Sequence, residues 1–236
     1  VKTVAGMGLD ARICCLARAR KGDIEAALDC GVDMVSIFIA TSDRHIQHKY
    51  RKPRDQVLDE ALMMVDLARD HGIDIRFAAE DASRTDRDFL LKVYRGAAER
   101  RANLLSFADT VGCLVPMQMF RIMSELVAAV DLPFCAHCNN DMGCATANTV
   151  TAAEAGAFQL HTTVNGIGER AGNAALEEVR VALRMNGGVD RYDLSHLSDI
   201  SRMVQEYSGI TLQKTKAVVG EHAFSHESGI HIAAIL

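Results

Sequence analysis

Polar side chains close three strand-length apolar runs of the sequence, and their types suit acid–base or metal chemistry. Glu80 ends IDIRFAAE and could act as a general acid or base, or be a solvated loop carboxylate. Thr110 ends NLLSFADT and could donate to a substrate carboxylate, although Asp109 or Thr110 could instead cap the next helix. His137 and Asn139 share a strand face, so they could chelate a cation or form a satisfied polar strand end. An amide oxygen is the poorer ligand of the two for zinc-like metals.

The loop TTVNGIGERAGNAALEEV (162–179) is the most distinctive stretch. Its glycines would let the backbone approach a ligand closely, and Asn173 could be an oxygen ligand for a hard cation. Further along, AFSHESGIH (223–231) places His226 and His231 near a glycine. Either imidazole could act as a general acid or base, or be an ordinary loop histidine.

Two other sets of metal-binding residue types are not interpreted as sites. Cys135 and Cys138 would point to opposite faces of a strand, so a shared metal or redox centre is disfavoured. His45 and His48 lie in a polar stretch for which a surface loop is the favoured interpretation.

The elements that must position these residues alternate along the chain. Strand-length apolar runs occur at 11–19, 33–40, 73–80, 103–110, 132–139 and 158–166. Amphipathic stretches predict helices over 55–70, 86–100, 116–130, 145–155 and 176–185. Alternating strands and helices indicate an α/β fold with a parallel sheet. Because a closed barrel has eight such units, we predict a (β/α)8 TIM barrel lacking its first two strands in this chain. A doubly wound open sheet is the alternative, but no G-x-G-x-x-G follows the first run.

A change of pattern near Gly187 predicts two domains. Residues 1–187 would form the partial TIM-barrel catalytic domain, and residues 188–236 the start of a C-terminal subdomain. The second part contains a helix candidate over 195–207 and a loop-rich segment from Gly209 onward.

Composition narrows the class of protein. The chain has 236 residues, 49% hydrophobic and 24% charged, with a net charge of -5 and no basic block, which disfavours nucleic acid and anionic membranes as partners. No apolar run approaches the roughly 18 residues of a membrane span, and no signal peptide opens the chain. Seven cysteines without a secretory signal favour reduced thiols in a cytoplasmic enzyme.

Five segments together resemble the acetyl-CoA-dependent condensing enzymes, the 2-isopropylmalate, homocitrate and citramalate synthases, on a metal-dependent barrel. These segments are EDASRTD (80–86), ADTVG (108–112), AHCNNDMGCATAN (136–148), NGIGERAGN (165–173) and GEHAFSHESGIH (220–231). The resemblance spans essentially the whole chain, and its last two motifs are specific to the condensing branch. It implies an acyltransferase that converts the acyl group to alkyl on transfer.

The resemblance also implies cofactors and residue roles. A divalent cation (Mg, Mn or Zn) would bind the 2-oxo acid and polarise its carbonyl, and acetyl-CoA would be the co-substrate. By resemblance, the metal ligands would be His137, Asn139 and Asn173. Glu80 and His231 would be catalytic. A C-terminal segment would deliver His231 into the partner subunit's barrel, which implies a homodimer with an exchanged segment.

Two departures from the family pattern bear on activity. The family has His-Cys-His-Asn-Asp at 137–141, and here the second His is Asn139, which removes one imidazole from the metal. The first-strand motif, with its Asp metal ligand and catalytic Arg, is not in this chain and would lie before Val1, so we expect a truncated chain and not a divergent one. Asn139 motivates the second hypothesis, a catalytically weakened, metal-poor relative that only binds ligand or a partner subunit. A lyase or aldolase on the same barrel is the third, and the condensing-type tail disfavours it.

Arg76 is the residue that bears on the choice of substrate. It shares the inward face of Glu80, and a barrel interior rejects an unpaired guanidinium. It therefore needs a carboxylate from the protein or from the ligand, unless it extends out of the bottom of the barrel. By resemblance, an Arg here in homocitrate synthases binds the distal carboxylate of 2-oxoglutarate, with Thr110 as a second substrate-binding residue. Homocitrate synthesis is thus favoured over 2-isopropylmalate (from 2-oxoisovalerate) or citramalate synthesis.

Overall fold

The parallel sheet predicted from the sequence is present. The computed structural model describes residues 1–190 and 192–226. Six parallel strands pair in chain order: β1 (Cys14–Arg18), β2 (Met34–Ala40), β3 (Asp74–Glu80), β4 (Leu104–Asp109), β5 (Phe134–Cys138) and β6 (Gln159–His161). Unbroken sequential order with intervening helices is the arrangement of a barrel wall, so the chain supplies six consecutive strands of a (β/α)8 barrel.

The helices lie before, between and after these strands. They are α1 (Lys2–Ala5), α2 (Lys21–Leu28), α3 (Asp43–His45), α4 (Arg54–Asp70), α5 (Arg87–Glu99), α6 (Pro116–Ala129), α7 (Ala145–Glu154), α8 (Leu176–Gly187) and α9 (Leu197–Ser208). The six helices predicted from amphipathic patterns all occur within two residues of their expected bounds. None of the helices in the described part of the chain is long and apolar enough to cross a membrane.

Local sequence explains where several helices begin and end. The Asp86 side chain accepts a hydrogen bond from Phe89 N at 3.1 Å, which caps α5. Pro116 occupies the first position of α6, where its missing N–H costs nothing. Gly188 and Gly209 end α8 and α9 in the left-handed conformation that glycine adopts readily.

The outward faces of the strands form the main core. Phe77, Phe107 and Phe134 are fully buried between the sheet and its helices. Tyr94 of α5 packs edge-on against Phe134, with ring centroids 5.1 Å apart, and donates to the carbonyl of Ser106 at 3.0 Å. This packing fixes the strands, so the side chains on their inward faces are held at defined positions.

The inward faces carry polar side chains in matched register. Ser36 on β2 pairs with Arg76 on β3, and His137 on β5 pairs with His161 on β6. Because neighbouring strands align these residues at one level, the register brings polar groups from distant parts of the chain into the barrel interior.

The stretch after β2 is not the loop predicted for His45 and His48. It forms α3, which the Ser42 side chain caps, followed by a π-helix over Ile46–Tyr50. Tyr50 anchors the π-helix because its hydroxyl accepts a hydrogen bond from Ala40 N at 3.1 Å. The prediction of a loop failed because a π-helix has no simple apolar period in the sequence. π-Helical segments are frequent at functional sites.

The segment after α8 docks on the barrel of its own chain. Asn165 Nδ2 donates to Ser201 O at 3.0 Å, and Ser201 Oγ donates to Asn165 Oδ1 at 2.6 Å, which ties α9 to the loop after β6. Lys216 is paired with Glu178 and lies 3.5 Å from the buried Glu177. From Gly209 to His226 the chain forms loops and turns, as expected.

Candidate active site

A cavity of about 360 Å³ opens at the carboxyl ends of the strands. Its size falls within the range of small-molecule sites, roughly 300–1,000 Å³. The predicted residues Arg76, Glu80, Thr110, His137 and Asn139 all line it. In a (β/α)8 barrel this end of the sheet carries the chemistry. The structure therefore brings five of the seven predicted site residues together.

The sixth predicted residue, Asn173, meets His137 and Asn139 beside the cavity. Asn173 Nδ2 lies 3.1 Å from Asn139 Oδ1 and 3.4 Å from His137 Nε2. Asn139 Nδ2 donates to the carbonyl of Asp109 at 3.2 Å, and its Oδ1 accepts from Asn173 Nδ2. The seventh predicted residue, His231, lies outside the described residues.

This trio has the donor chemistry of a weak cation site. Burial, and then the Arg76 charge, lower the pKa of His137, so its imidazole is neutral and able to ligate a metal at pH 7. Amide oxygens and imidazole suit a divalent cation. Within the described residues, however, no group of three His, Cys, Asp or Glu side chains could hold a metal. The residue types of the trio suit a divalent cation, but the trio contributes no negative charge. Asn173 turns its Nδ2, and not its oxygen, toward His137 and Asn139.

Arg76 crosses the barrel interior and binds neutral groups. Its Nε donates to Ser36 Oγ at 3.0 Å, and its NH1 donates to Gln159 Oε1 at 3.2 Å and lies 2.8 Å from His161 Nε2. No carboxylate within the described residues pairs with it. Arg76 thus neither pairs with a described protein carboxylate nor leaves through the bottom of the barrel, and its positive charge faces the cavity.

His161 is held neutral beside Arg76. Burial, Arg76 and His137 together lower the pKa of His161 to about 3. Its ring packs against that of His137 with centroids 5.6 Å apart. A neutral His161 can accept from the guanidinium through Nε2, as the short contact requires.

Glu80 reaches the cavity with its carboxylate already engaged. Lys49 of the π-helix pairs with it, and His45 Nδ1 lies 3.4 Å from Glu80 Oε1. His45 also approaches the fully buried Asp81, which Arg84 binds through two hydrogen bonds. The π-helix therefore orients Glu80, and the alternative of a freely solvated carboxylate is wrong.

Thr110 and Asp109 do not cap the helix that follows. Thr110 Oγ1 accepts a hydrogen bond from Asp81 N at 2.8 Å, which leaves its hydroxyl proton available to a ligand. The buried Asp109 carboxylate instead accepts from the backbone N–H groups of Cys113 and Leu114, both at 3.1 Å. Asp109 thus shapes the loop, and Thr110 faces the cavity.

The glycines after β6 are needed by the loop itself. A Cβ on Gly168 would lie 1.9 Å from Asn173 Oδ1, and one on Gly172 would lie 2.0 Å from Gly166 O. Arg170 then ties this loop to its neighbours through two hydrogen bonds of 2.7 Å to Asp141 and one to Thr110 O. These contacts hold Asn173 next to His137.

The two cysteines of β5 face opposite sides of the sheet, as predicted. Cys138 packs in the outer core and Cys135 lies inside the barrel. Burial raises the pKa of Cys135 to about 11 and that of Cys138 to about 12, so both remain thiols.

The sequence reasoning missed the partners of two site residues. Gln159 and His161 were missed although they alternate with Leu160, the same two-residue spacing that identified His137 and Asn139. Ser36 is a small residue in an otherwise apolar strand and gave no comparable signal. Lys49 was missed because its helix was interpreted as a loop.

Comparison with known proteins gives the family and similar relatives. A family model described as HMGL-like matches residues 1–204. The homocitrate synthase AksA of Methanosarcina acetivorans is 55% identical over 100% of this chain and 58% of its own length. A probable 2-isopropylmalate synthase of Methanopyrus kandleri is 48% identical, with the same full coverage here and 48% there. The chain therefore spans less than two thirds of the length of these relatives.

Solved structures agree on the fold. The hydroxymethylglutaryl-CoA lyase of Pseudomonas aeruginosa superposes with a TM-score of 0.77, covering 100% of this chain and 79% of that one at 21% identity. At that identity the likeness concerns the fold alone. The family model, which matches most of the sequence, shows that the chain belongs to the HMGL-like family.

Proposed function

We propose that the full-length protein condenses acetyl-CoA with 2-oxoglutarate to give homocitrate. The observation that carries this proposal is the Arg76 guanidinium, which faces the cavity without a carboxylate partner among the described residues. A dicarboxylic 2-oxo acid supplies that partner, whereas a branched aliphatic substrate would leave the charge buried and unpaired. Similarity to a homocitrate synthase over the whole of this chain supports the same substrate.

His137, Asn139 and Asn173 would hold the divalent cation in this proposal. When bound, such a cation acts as a Lewis acid on the 2-oxo carbonyl. Thr110 has a free hydroxyl proton to donate to a substrate carboxylate. Glu80, oriented by Lys49 and His45, would act as the acid–base group, with His231 as the second catalytic residue.

The test is substrate selection by the full-length enzyme. We expect release of free CoA from acetyl-CoA with 2-oxoglutarate, at a kcat/KM at least about tenfold above that with 2-oxoisovalerate or pyruvate. Thiol release can be followed with a chromogenic reagent, and the product identified by mass spectrometry. Selective turnover of 2-oxoisovalerate would support 2-isopropylmalate synthesis, the alternative that the 48% identical relative favours.

Asn139 favours a second candidate, a metal-poor relative that binds ligand or a partner subunit without efficient turnover. The described trio contributes one imidazole and no carboxylate. Saturable 2-oxoglutarate binding, with no CoA release at any divalent metal concentration, would support this candidate over the first.

We further propose a cytoplasmic homodimer in which the end of the C-terminal part (188–236) delivers His231 into the partner's barrel. The apolar side chains of Met203, Tyr207 and Phe224 are exposed on this part, and the free cysteines suit a reducing compartment. The division at 187/188 stays a prediction.

Exchange of His231 predicts complementation between two variants that are each strongly impaired. Co-expressed Arg76→Ala and His231→Ala chains should regain roughly a quarter of wild-type activity, because half of randomly paired dimers carry one intact site. Light scattering should show a dimer. An active monomer, or no activity in the mixed dimer, would contradict the exchange.

A further inference from the structure

We propose that Ser36, Gln159 and His161 form a neutral cradle that fixes Arg76 without cancelling its charge, and that Gln159 and His161 thereby set the selectivity for dicarboxylic 2-oxo acids. The inference rests on the proposed function, and it assigns positioning roles to three residues around Arg76.

The contacts of the neutral cradle restrain one side of the guanidinium. Ser36 Oγ accepts from Nε at 3.0 Å, and Gln159 Oε1 and His161 Nε2 lie 3.2 and 2.8 Å from NH1. Within the described residues, NH2 has no hydrogen-bond partner. The two N–H groups of NH2 are therefore the donors left for a ligand carboxylate.

The neutral cradle joins opposite parts of the barrel wall. Ser36 lies beside Arg76 in strand register, whereas Gln159 and His161 lie on β6, three strands away from β3. The Arg76 side chain therefore extends across the interior, and Gln159 and His161 of β6 hold its far end there. Cys135 Sγ lies 3.2 Å from Gln159 Oε1, which also fixes the amide oxygen toward the barrel interior.

Neutrality is the property that matters for selectivity. A glutamate could anchor Arg76 equally well, but it would neutralise the charge that a substrate carboxylate has to meet. Glu80 on the same strand does not compensate Arg76, since Lys49 pairs with it. The cradle thus places a positive charge at a fixed point and leaves it uncompensated, which suits an anion and disfavours an apolar group.

The test adds one negative charge beside Arg76 while it keeps the shape of the side chain at position 159. In the full-length enzyme, Gln159→Glu keeps the acceptor beside NH1 and should raise the KM for 2-oxoglutarate about tenfold, the loss of one charge-assisted contact. Its kcat should change less than about twofold, and the KM for 2-oxoisovalerate should not rise. Gln118→Glu is the matched control, because this exposed residue of α6 lies outside the cavity. Calorimetric binding of 2-oxoglutarate gives a readout independent of turnover.

A second pair of variants separates positioning from simple packing. His161→Leu removes the acceptor and should raise the KM for 2-oxoglutarate, whereas His161→Asn restores a neutral acceptor and should recover part of the loss. Unfolding temperatures within a few degrees of wild type would show that each variant is folded.

Two outcomes would overturn the proposal. If the wild-type enzyme prefers 2-oxoglutarate but Gln159→Glu binds it with unchanged affinity, the cradle alone is overturned. A wild-type enzyme that prefers 2-oxoisovalerate would overturn the proposed function and the cradle together.

Discussion

Replacing Arg76 with alanine is expected to lower kcat/KM for 2-oxoglutarate by roughly 10- to 100-fold in the full-length enzyme. The estimate follows from the loss of a charge-assisted hydrogen bond worth ~1.5–3 kcal/mol. The structure supports the upper part of this range, because the neutral cradle presents the NH2 group without a competing carboxylate among the described residues. Steady-state kinetics with 2-oxoglutarate and 2-oxoisovalerate, measured in parallel, check the prediction.

Three comparisons make the Arg76 result specific. The kcat/KM for 2-oxoisovalerate should change little, since that substrate has no distal carboxylate. Arg76→Lys should recover only part of the loss, because a lysine keeps the charge but cannot reproduce the planar fork that the cradle holds. Arg121→Ala, at an exposed position of α6, is the control for loss of a surface guanidinium. Equal losses for both substrates would assign Arg76 to stability and not to recognition.

The strands and helices were predictable because their signals are local. Outward residues such as Phe77 and Phe107 repeat every second position along their strands. They are fully buried in the structure, as that period requires. The same alternation correctly placed Arg76, Glu80 and His137 on the inward face. Six sequential units then left a parallel barrel wall as the simplest arrangement.

The pairing of site residues was not predictable from local signals. Arg76 and His161 are separated by 85 positions, and only the curvature of the sheet brings β6 within reach of β3. The link between Lys49 and Glu80 depends on a π-helix, whose hydrogen-bond pattern leaves no clear period in the sequence. Such contacts follow from closure of the barrel, so a single sequence offers the residues but not their partners.

Replacing Asn139 with histidine is expected to tighten divalent metal binding by roughly 10- to 100-fold, the effect typical of changes in the ligands and their supporting shell. Asn139 already has the right surroundings for an imidazole. Its Nδ2 donates to the carbonyl of Asp109 at 3.2 Å, and its Oδ1 accepts from Asn173 Nδ2, which also lies 3.4 Å from His137 Nε2. A histidine Nδ1–H could take over the donation to Asp109, which would leave Nε2 as a better ligand than an amide oxygen. Calorimetry of the metal-free full-length protein with Mn²⁺ and Zn²⁺ measures the change.

The gain should also depend on pH in a defined direction. An imidazole ligates only when neutral, so the advantage of the Asn139→His variant should be present at pH 7.5 and shrink as the pH falls through the histidine range, about 6 to 7. Asn186→His is the matched control, since Asn186 is exposed at the end of α8 and its new imidazole would lie apart from His137. If both variants bound metal as the wild type does at pH 7.5, position 139 would not be a metal ligand. The absence of the family histidine could not then be the reason for the low turnover of the metal-poor candidate. If only Asn139→His binds metal tightly and its kcat rises with metal occupancy, then the asparagine at position 139 accounts for weak metal binding by the natural protein. The rest of the site would then be intact.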